Sequence, residues 1–289
     1  MGRKGGVIGF IGGSGVYDIE GIEDRREEFI ETPYGPPSDR ILLGVLEGRR
    51  VAFLPRHGRG HRILPHEVNS RANMWALKSV GVDWIVAFSA VGSLKEEVRP
   101  RDVVIPDQVF DRTKCRPSTF FGDGIAAHIS FSEPYCPLLR KELVATCREL
   151  GLRVHDGGTY ICIEGPSFST KAESKVNRAH GFTVIGMTNL PEAKLAREAE
   201  IAYATVALAT DYDVWHESEE DVSVELVLEN LRANAENVKQ IVRRIIPRIP
   251  EERVSPAHNA LSSAIMTDRS LWPKDVVERL GVIIERYVQ

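Results

Sequence analysis

The residues best suited to chemistry lie in Thr210-Asp211-Tyr212-Asp213-Val214-Trp215, directly after an apolar run over residues 202–209. Two carboxylates two residues apart point the same way on an extended segment. Such a pair accepts hydrogen bonds from an exocyclic amine. One carboxyl, protonated or sharing a proton, can also donate to the ring nitrogen of a departing heterocyclic base. A solvated turn would carry the same two residues. The carboxylates of a glycosidase must face each other across a sugar ring, which this spacing permits only if the chain bends sharply.

Three other segments suit an anion. Gly12-Gly13-Ser14-Gly15 follows the apolar run 7–11 and can present consecutive backbone N–H groups with one hydroxyl. A tight turn needing glycine would read the same, and the segment has neither the lysine of a P-loop nor a full GxGxxG order. Pro55-Arg56-His57-Gly58-Arg59-Gly60-His61 sets a fixed cation beside an imidazole. Arg56 can chelate phosphate through paired N–H donors, and His57 can add a hydrogen bond or help remove a proton. His57, His61 and His66 make a poor metal set, because glycines disfavour an aligning helix and no carboxylate lies among them; no metal is expected. In Ser89-Ala90-Val91-Gly92-Ser93 a strand is expected to end in small residues that let a ligand approach the backbone, although close packing at a turn would use the same residues. Finally, Ile163-Glu164-Gly165-Pro166-Ser167-Phe168-Ser169-Thr170 runs from a strand into a helix. Phe168 there could stack on a planar base or pack inward as a staple.

These segments need elements to hold them. Short β-branched and aromatic runs at 7–11, 41–46, 51–54, 84–89, 103–105, 159–163, 183–185 and 202–209 predict strands. Amphipathic stretches at 67–80, 137–150, 171–179, 192–199, 224–245 and 274–287 predict helices. Thr170 with Glu173 reads as a capping box, and Asn189 with Glu192 has the same spacing. The alternation predicts an α/β fold: a single domain over residues 1–289, with a central mixed β-sheet flanked by helices and a C-terminal helical extension over about 251–289. No Pro/Gly-rich linker and no fixed-period repeat divides it.

Bulk properties narrow the function classes. A composition 43% hydrophobic and 27% charged is that of a globular chain with a sizeable core. A net charge of -4 gives no electropositive field for nucleic acid. Cys115, Cys136, Cys147 and Cys162 show no CxxC spacing, which fits a reducing cytoplasm. The opening residues resemble neither a signal peptide nor a membrane span.

Taken in order, Ile11-Gly12-Gly13-Ser14-Gly15, Arg56-His57-Gly58-Arg59, Asn73-Met74-Trp75-Ala76-Leu77-Lys78, Ile163-Glu164-Gly165-Pro166, Gly186-Met187-Thr188 and Ala209-Thr210-Asp211-Tyr212-Asp213 resemble one family. It is the methylthioadenosine phosphorylase branch of the trimeric purine nucleoside phosphorylases, and the likeness runs from Val7 to about Ile245. The resemblance implies a purine nucleoside phosphorylase-like fold and phosphorolysis of a nucleoside, with inorganic phosphate as co-substrate and no cofactor. It assigns phosphate to Ser14, Arg56, His57, Ser89, Ala90 and Thr188, and the ribose to Met187. The base would lie near Phe168 and Ser169, with Asp211 and Asp213 at its polar edge. A 5' methylthio pocket would be lined by Val224, Val227 and Leu228, whose helical spacing is equally that of any core stripe. His128 would come from a neighbouring subunit, which implies a homotrimer or a dimer of trimers.

Within that resemblance Ser14 and Ser89 replace a common Thr and keep its hydroxyl, while Ser167 stands where relatives often carry Arg. Two acidic residues at the base edge favour an amine over a carbonyl, hence 6-aminopurines over inosine or guanosine. A hydrolytic nucleosidase would not need the anion segments, and a nucleoside sensor would bind without turnover.

Overall fold

The longest apolar runs become the middle of one sheet, because a strand buried on both faces needs apolar residues at successive positions. The computed structural model describes residues 6–13, 16, 19–216 and 224–288, without the side chains of residues 224, 226–228, 231 and 232. The first half of the chain forms β1 (Val7–Gly12), β2 (Glu23–Glu28), β3 (Ile41–Leu46), β4 (Arg49–Pro55), α1 (Ser70–Ser79), β5 (Val82–Ser93), β6 (Val103–Ile105) and β7 (Gln108–Arg112). There follow α2 (Pro137–Glu149), β8 (Val154–Asp156), β9 (Thr159–Ile163), α3 (Lys171–Ala179), β10 (Val184–Gly186), α4 (Glu192–Glu198) and β11 (Ala202–Asp211). The chain closes with α5 (Val224–Ile245), α6 (Lys274–Leu280) and α7 (Glu285–Val288), separated by short 3-10 turns.

The fold is mixed α/β, with the strands in the order β2-β3-β4-β1-β5-β10-β9-β7 and β11 branching from β5 towards β6 and β8. β1 lies parallel to β4 and β5, and β5 is parallel to β11. β1 and β11 are buried along their whole length. Alternate residues serve opposite faces: Val7 and Ile11 pack with Met74, Leu77 and Leu195 of α1 and α4. Ile8 and Phe10 pack on the other side with Leu143 of α2 and with Val238 and Ile241 of α5.

Several elements differ from the sequence expectation. β2 was missed because its residues, Glu-Asp-Arg-Arg-Glu-Glu, carry no apolar signal; it is an exposed strand paired only with β3. β7 and β8 are likewise largely polar and short. β5 does not turn at Ser89 but runs on to Ser93, since β11 pairs with it from Ala202↔Trp84 to Asp211↔Gly92 and β10 takes its far end. α1 begins at Ser70 rather than residue 67, because Asn69 caps it by accepting from Ala72 N. The capping box of Thr170 and Glu173 is present. The expected cap at Asn189 is not: Pro191 is the N-cap of α4, and no side chain bonds there.

The expected helix over 274–287 breaks at Gly281, whose φ of +49 is a left-handed conformation that glycine takes without strain. The segment beyond residue 250 is stitched to the body. Residue pair Ala127↔Ile265 forms a β-bridge, His128 N donates to Ala264 O at 2.8 Å, and Trp75 Nε1 donates to Leu280 O at 3.2 Å. Tyr287 Oη donates to the buried Glu200 Oε1 at 2.5 Å. Among the described residues no helix is long and apolar enough to cross a membrane.

Candidate active site

The ends of β1 and β4 lie side by side, since Gly12 pairs with Pro55 and Arg56 N donates to Gly12 O at 3.0 Å. This places Arg56 and His57 beside the glycine turn; Ser14 itself lies outside the described residues. Arg56 is 3% exposed. Its Nε and Nη2 donate to the two oxygens of Glu192, at 2.8 and 2.9 Å, and its Nη1 donates to Phe88 O at 2.8 Å. The paired N–H edge expected to chelate an anion is therefore taken by a carboxylate.

Phe88 precedes Ser89, so the same guanidinium adjoins the next group. Ser89 Oγ and Thr188 Oγ1, 99 positions apart in sequence, are hydrogen-bonded at 2.8 Å. Ala90 follows, half-buried. The His57 ring nitrogen Nδ1 meets Ile63 O at 2.9 Å. A carbonyl only accepts, so Nδ1 carries the hydrogen and a neutral ring keeps Nε2 as a lone pair. Burial, then the nearby Arg56 charge, lowers the His57 pKa to about 4, so the ring is neutral at pH 7.

Further along β5 the backbone meets the acidic pair. A Cβ on Gly92 would lie 2.9 Å from Asp211 Oδ1 and 3.3 Å from Asp213 Cβ, so the carboxylates stand against bare backbone. The pair is not extended as expected. β11 ends at Asp211 after a bulge, and Asp213 has φ +52, folding the chain back. In that turn Asp213 N donates to Asp211 Oδ1 at 2.8 Å, while Thr210 Oγ1 donates to Asp211 Oδ2 at 2.7 Å. Both residues are buried; the Ser174 and Ser169 hydroxyls lie near the Asp213 carboxyl, but no donor among the described residues stands at hydrogen-bond geometry to its Oδ2. Burial pushes the Asp213 carboxyl above its ordinary value, against the opposing pull of the Ser174 and Ser169 hydroxyls. A buried acceptor left open in this way suits a donor brought by a ligand.

Arg116 joins the remaining loops, and its role was not foreseen. Its Nη1 donates to Met187 O and Leu190 O, each at 2.7 Å, and its Nη2 to Glu164 O at 2.6 Å. These bonds tie the Met187-Thr188 turn to the strand end carrying Glu164 and, beyond it, Phe168 and Ser169. Phe168 is 44% exposed and not packed inward, which leaves its face open for stacking, while Ser169 is half-buried. Gly186 is required here: a Cβ would fall 1.9 Å from Tyr160 Oη. Nothing in the structure explains Ser167, which is exposed.

Glu192 and Tyr203 were also missed. The spacing to Asn189 suggested a cap, whereas Tyr203 Oη donates to Glu192 Oε1 at 2.7 Å and also lies 3.2 Å from Asn189 Oδ1. No signal local to Glu192 or Tyr203 marks them, because their partners are distant in sequence. His128 is exposed within this chain. Val224, Val227 and Leu228 begin α5, but their side chains lie outside the described residues. Among the described residues no cluster of three or more His, Cys, Asp or Glu could hold a metal, and Cys115, Cys136, Cys147 and Cys162 are free thiols.

Comparison with known proteins points in one direction. A family model described as the phosphorylase superfamily matches residues 7–247. The chain is 55% identical to the S-methyl-5'-thioadenosine phosphorylase of Geobacter sulfurreducens, over 98% of this chain and 99% of that one. It is similar to the crystal structure of a methylthioadenosine phosphorylase from an antarctic soil metagenomic library, with TM-score 0.92 and 48% identity, covering 97% of this chain and 99% of that one. A methylthioadenosine phosphorylase from Schistosoma mansoni, solved in complex with adenine, has TM-score 0.82 and 35% identity, covering 90% of this chain and 98% of that one.

Proposed function

The chain belongs to the phosphorylase superfamily, and from that membership we infer that it cleaves 5'-methylthioadenosine with inorganic phosphate, giving adenine and 5-methylthioribose 1-phosphate. It is a pentosyltransferase. The observation that carries the reading is the arrangement along one strand. Ser89 meets Thr188 beside the buried Arg56, and Gly92, three residues further along β5, meets Asp211 and Asp213. Three strand residues span about 10 Å, which leaves room for a sugar between an anion and a proton donor.

Chemistry follows from that placement. As the bond from the sugar to the base nitrogen breaks, positive charge grows on the ribose and negative charge on the purine. Phosphate held by Arg56, Ser89, Ala90, Thr188 and Ser14 stabilises the first and forms the new bond at the same carbon. The acidic pair serves the second. Asp211 is fixed by Thr210 and Asp213 N, and Asp213 is the half whose burial favours a proton. Together they place a hydrogen bond or proton on the ring nitrogen and accept from the exocyclic amine. His57, neutral and with Nε2 free of the Ile63 contact, is suited to accept a hydrogen bond from monoanionic phosphate and so to orient it. Met187 faces the ribose and Phe168 stacks on the base, with Ser169 beside it. Val224, Val227 and Leu228 supply the apolar 5' pocket with His128 of a second copy, in a homotrimer or a dimer of trimers. No metal or organic cofactor enters this scheme, and a cytoplasmic setting suits the free thiols.

The 6-oxopurine alternative is not favoured, since the two carboxylates beside Gly92 suit an exocyclic amine better than a carbonyl. Adenine release from methylthioadenosine, followed with and without phosphate, tests the reading. Release must depend on phosphate; equal release in its absence would assign a hydrolase.

A further inference from the structure

We propose that Glu192 is a positioning residue for phosphate, acting through Arg56 and itself held by Tyr203. The proposal rests on the phosphorolytic reading. A guanidinium has five N–H donors. Glu192 takes two of those on Arg56 and Phe88 O takes a third, so the cation offers an anion two donors in a fixed place.

Arg56 and Glu192 are 3% and 2% exposed along their side chains. A buried pair of this kind seldom adds stability over apolar residues of the same size, so its presence needs another reason. Glu192 stands in the first turn of α4, where a carboxylate ordinarily serves the helix N–H groups. It turns instead to Arg56, and Tyr203 Oη from β11 donates to its Oε1 at 2.7 Å. Two elements, α4 and β5, therefore hold the guanidinium directly, and β11 braces the carboxylate that grips it.

Two consequences follow for the site. The cation cannot swing to meet the anion, so its free donors need no reorganisation when phosphate arrives. Its charge is also opposed by that of Glu192. Binding then depends on where the N–H groups point more than on net charge, and a charged sugar phosphate product is not trapped by an unopposed arginine.

The test compares the wild-type chain with Glu192→Gln and Tyr203→Phe, measuring KM for phosphate, KM for methylthioadenosine and inhibition by sulfate. Loss of one arm to a charged partner predicts a rise of about tenfold or more in phosphate KM for Glu192→Gln, with weakened sulfate inhibition in parallel. KM for methylthioadenosine stays within about twofold, because the base edge is untouched. Tyr203→Phe, which keeps the ion pair, gives the same split at about threefold and decides the matter should Glu192→Gln not fold. Phosphate KM unchanged or lowered overturns the proposal, as does a parallel rise of both KM values. Phosphate-independent adenine release by the wild type would instead remove the underlying reading, and that control is read before any variant.

Discussion

Asp213 N donates to Asp211 Oδ1 at 2.8 Å, so the residue carrying one carboxylate anchors the other. The bond exists because Asp213 adopts φ +52 and folds its own backbone towards the strand end. Two acidic groups that would repel in an extended strand are thereby held together, with the backbone N–H between them.

Replacing Asp211 with Asn keeps the shape of this turn and removes the charge. Turnover on methylthioadenosine is expected to fall about a hundredfold to ten-thousandfold, the usual range for lost acid help to a leaving group, because Asp211 and Asp213 share that work as a pair. Steady-state kinetics at saturating phosphate measure it, and an unchanged kcat would remove Asp211 from the mechanism.

His57 is expected to remain neutral across pH 5 to 8, because burial and Arg56 hold its pKa at about 4. Nitrogen-15 spectra of labelled protein read this directly. Nε2 should keep its lone-pair shift throughout, and a midpoint near the ordinary histidine value of about 6.5 would contradict the assignment.

Glu198 accepts from Thr119 Oγ1 and Phe120 N, each at 2.7 Å, and burial raises its pKa from 4.5 to about 7. Between those values the folded protein keeps a proton that the unfolded chain has released. Its contribution to stability is complete below that range and is lost as pH rises through about 7. Thermal melts should therefore show Tm falling over this interval, by a free-energy equivalent of up to about 3 kcal/mol. Glu198→Gln should flatten the slope, and a variant as steep as wild type would refute the origin.

Arg116→Lys retains the charge but not the planar fork that bridges the Met187–Leu190 turn and the strand end at Glu164. Each buried carbonyl left without a donor costs about 1 to 3 kcal/mol, so Tm should drop. KM for methylthioadenosine should rise about tenfold as the Met187 and Phe168 segments separate. A variant with a lowered Tm and unaltered KM would confine Arg116 to folding.

The central strands were legible because β1, β5 and β11 are buried along most of their length and so carry long apolar runs. β2 was not, because an edge strand made of Glu, Asp and Arg obeys solvent and its single neighbour. At the candidate site, residue types in strand-end motifs singled out Arg56, His57, Ser89, Asp211 and Asp213 but not the groups that the structure sets against them. Which groups meet is a matter of tertiary distance: Arg56 to Glu192 spans 136 positions, and nothing local to either residue encodes it. Asn189 and Glu192 misled because cap spacing and a buried ion pair use the same residue types.

The hydroxyl of Tyr287 reaches Glu200, in the short turn between the helix that carries Glu192 and the strand that ends in Asp211. Removing that hydroxyl leaves the buried carboxylate short of a donor, so Tyr287→Phe would loosen the short connection between the two elements that carry the acidic groups of opposite ends of the site, from a residue that touches neither.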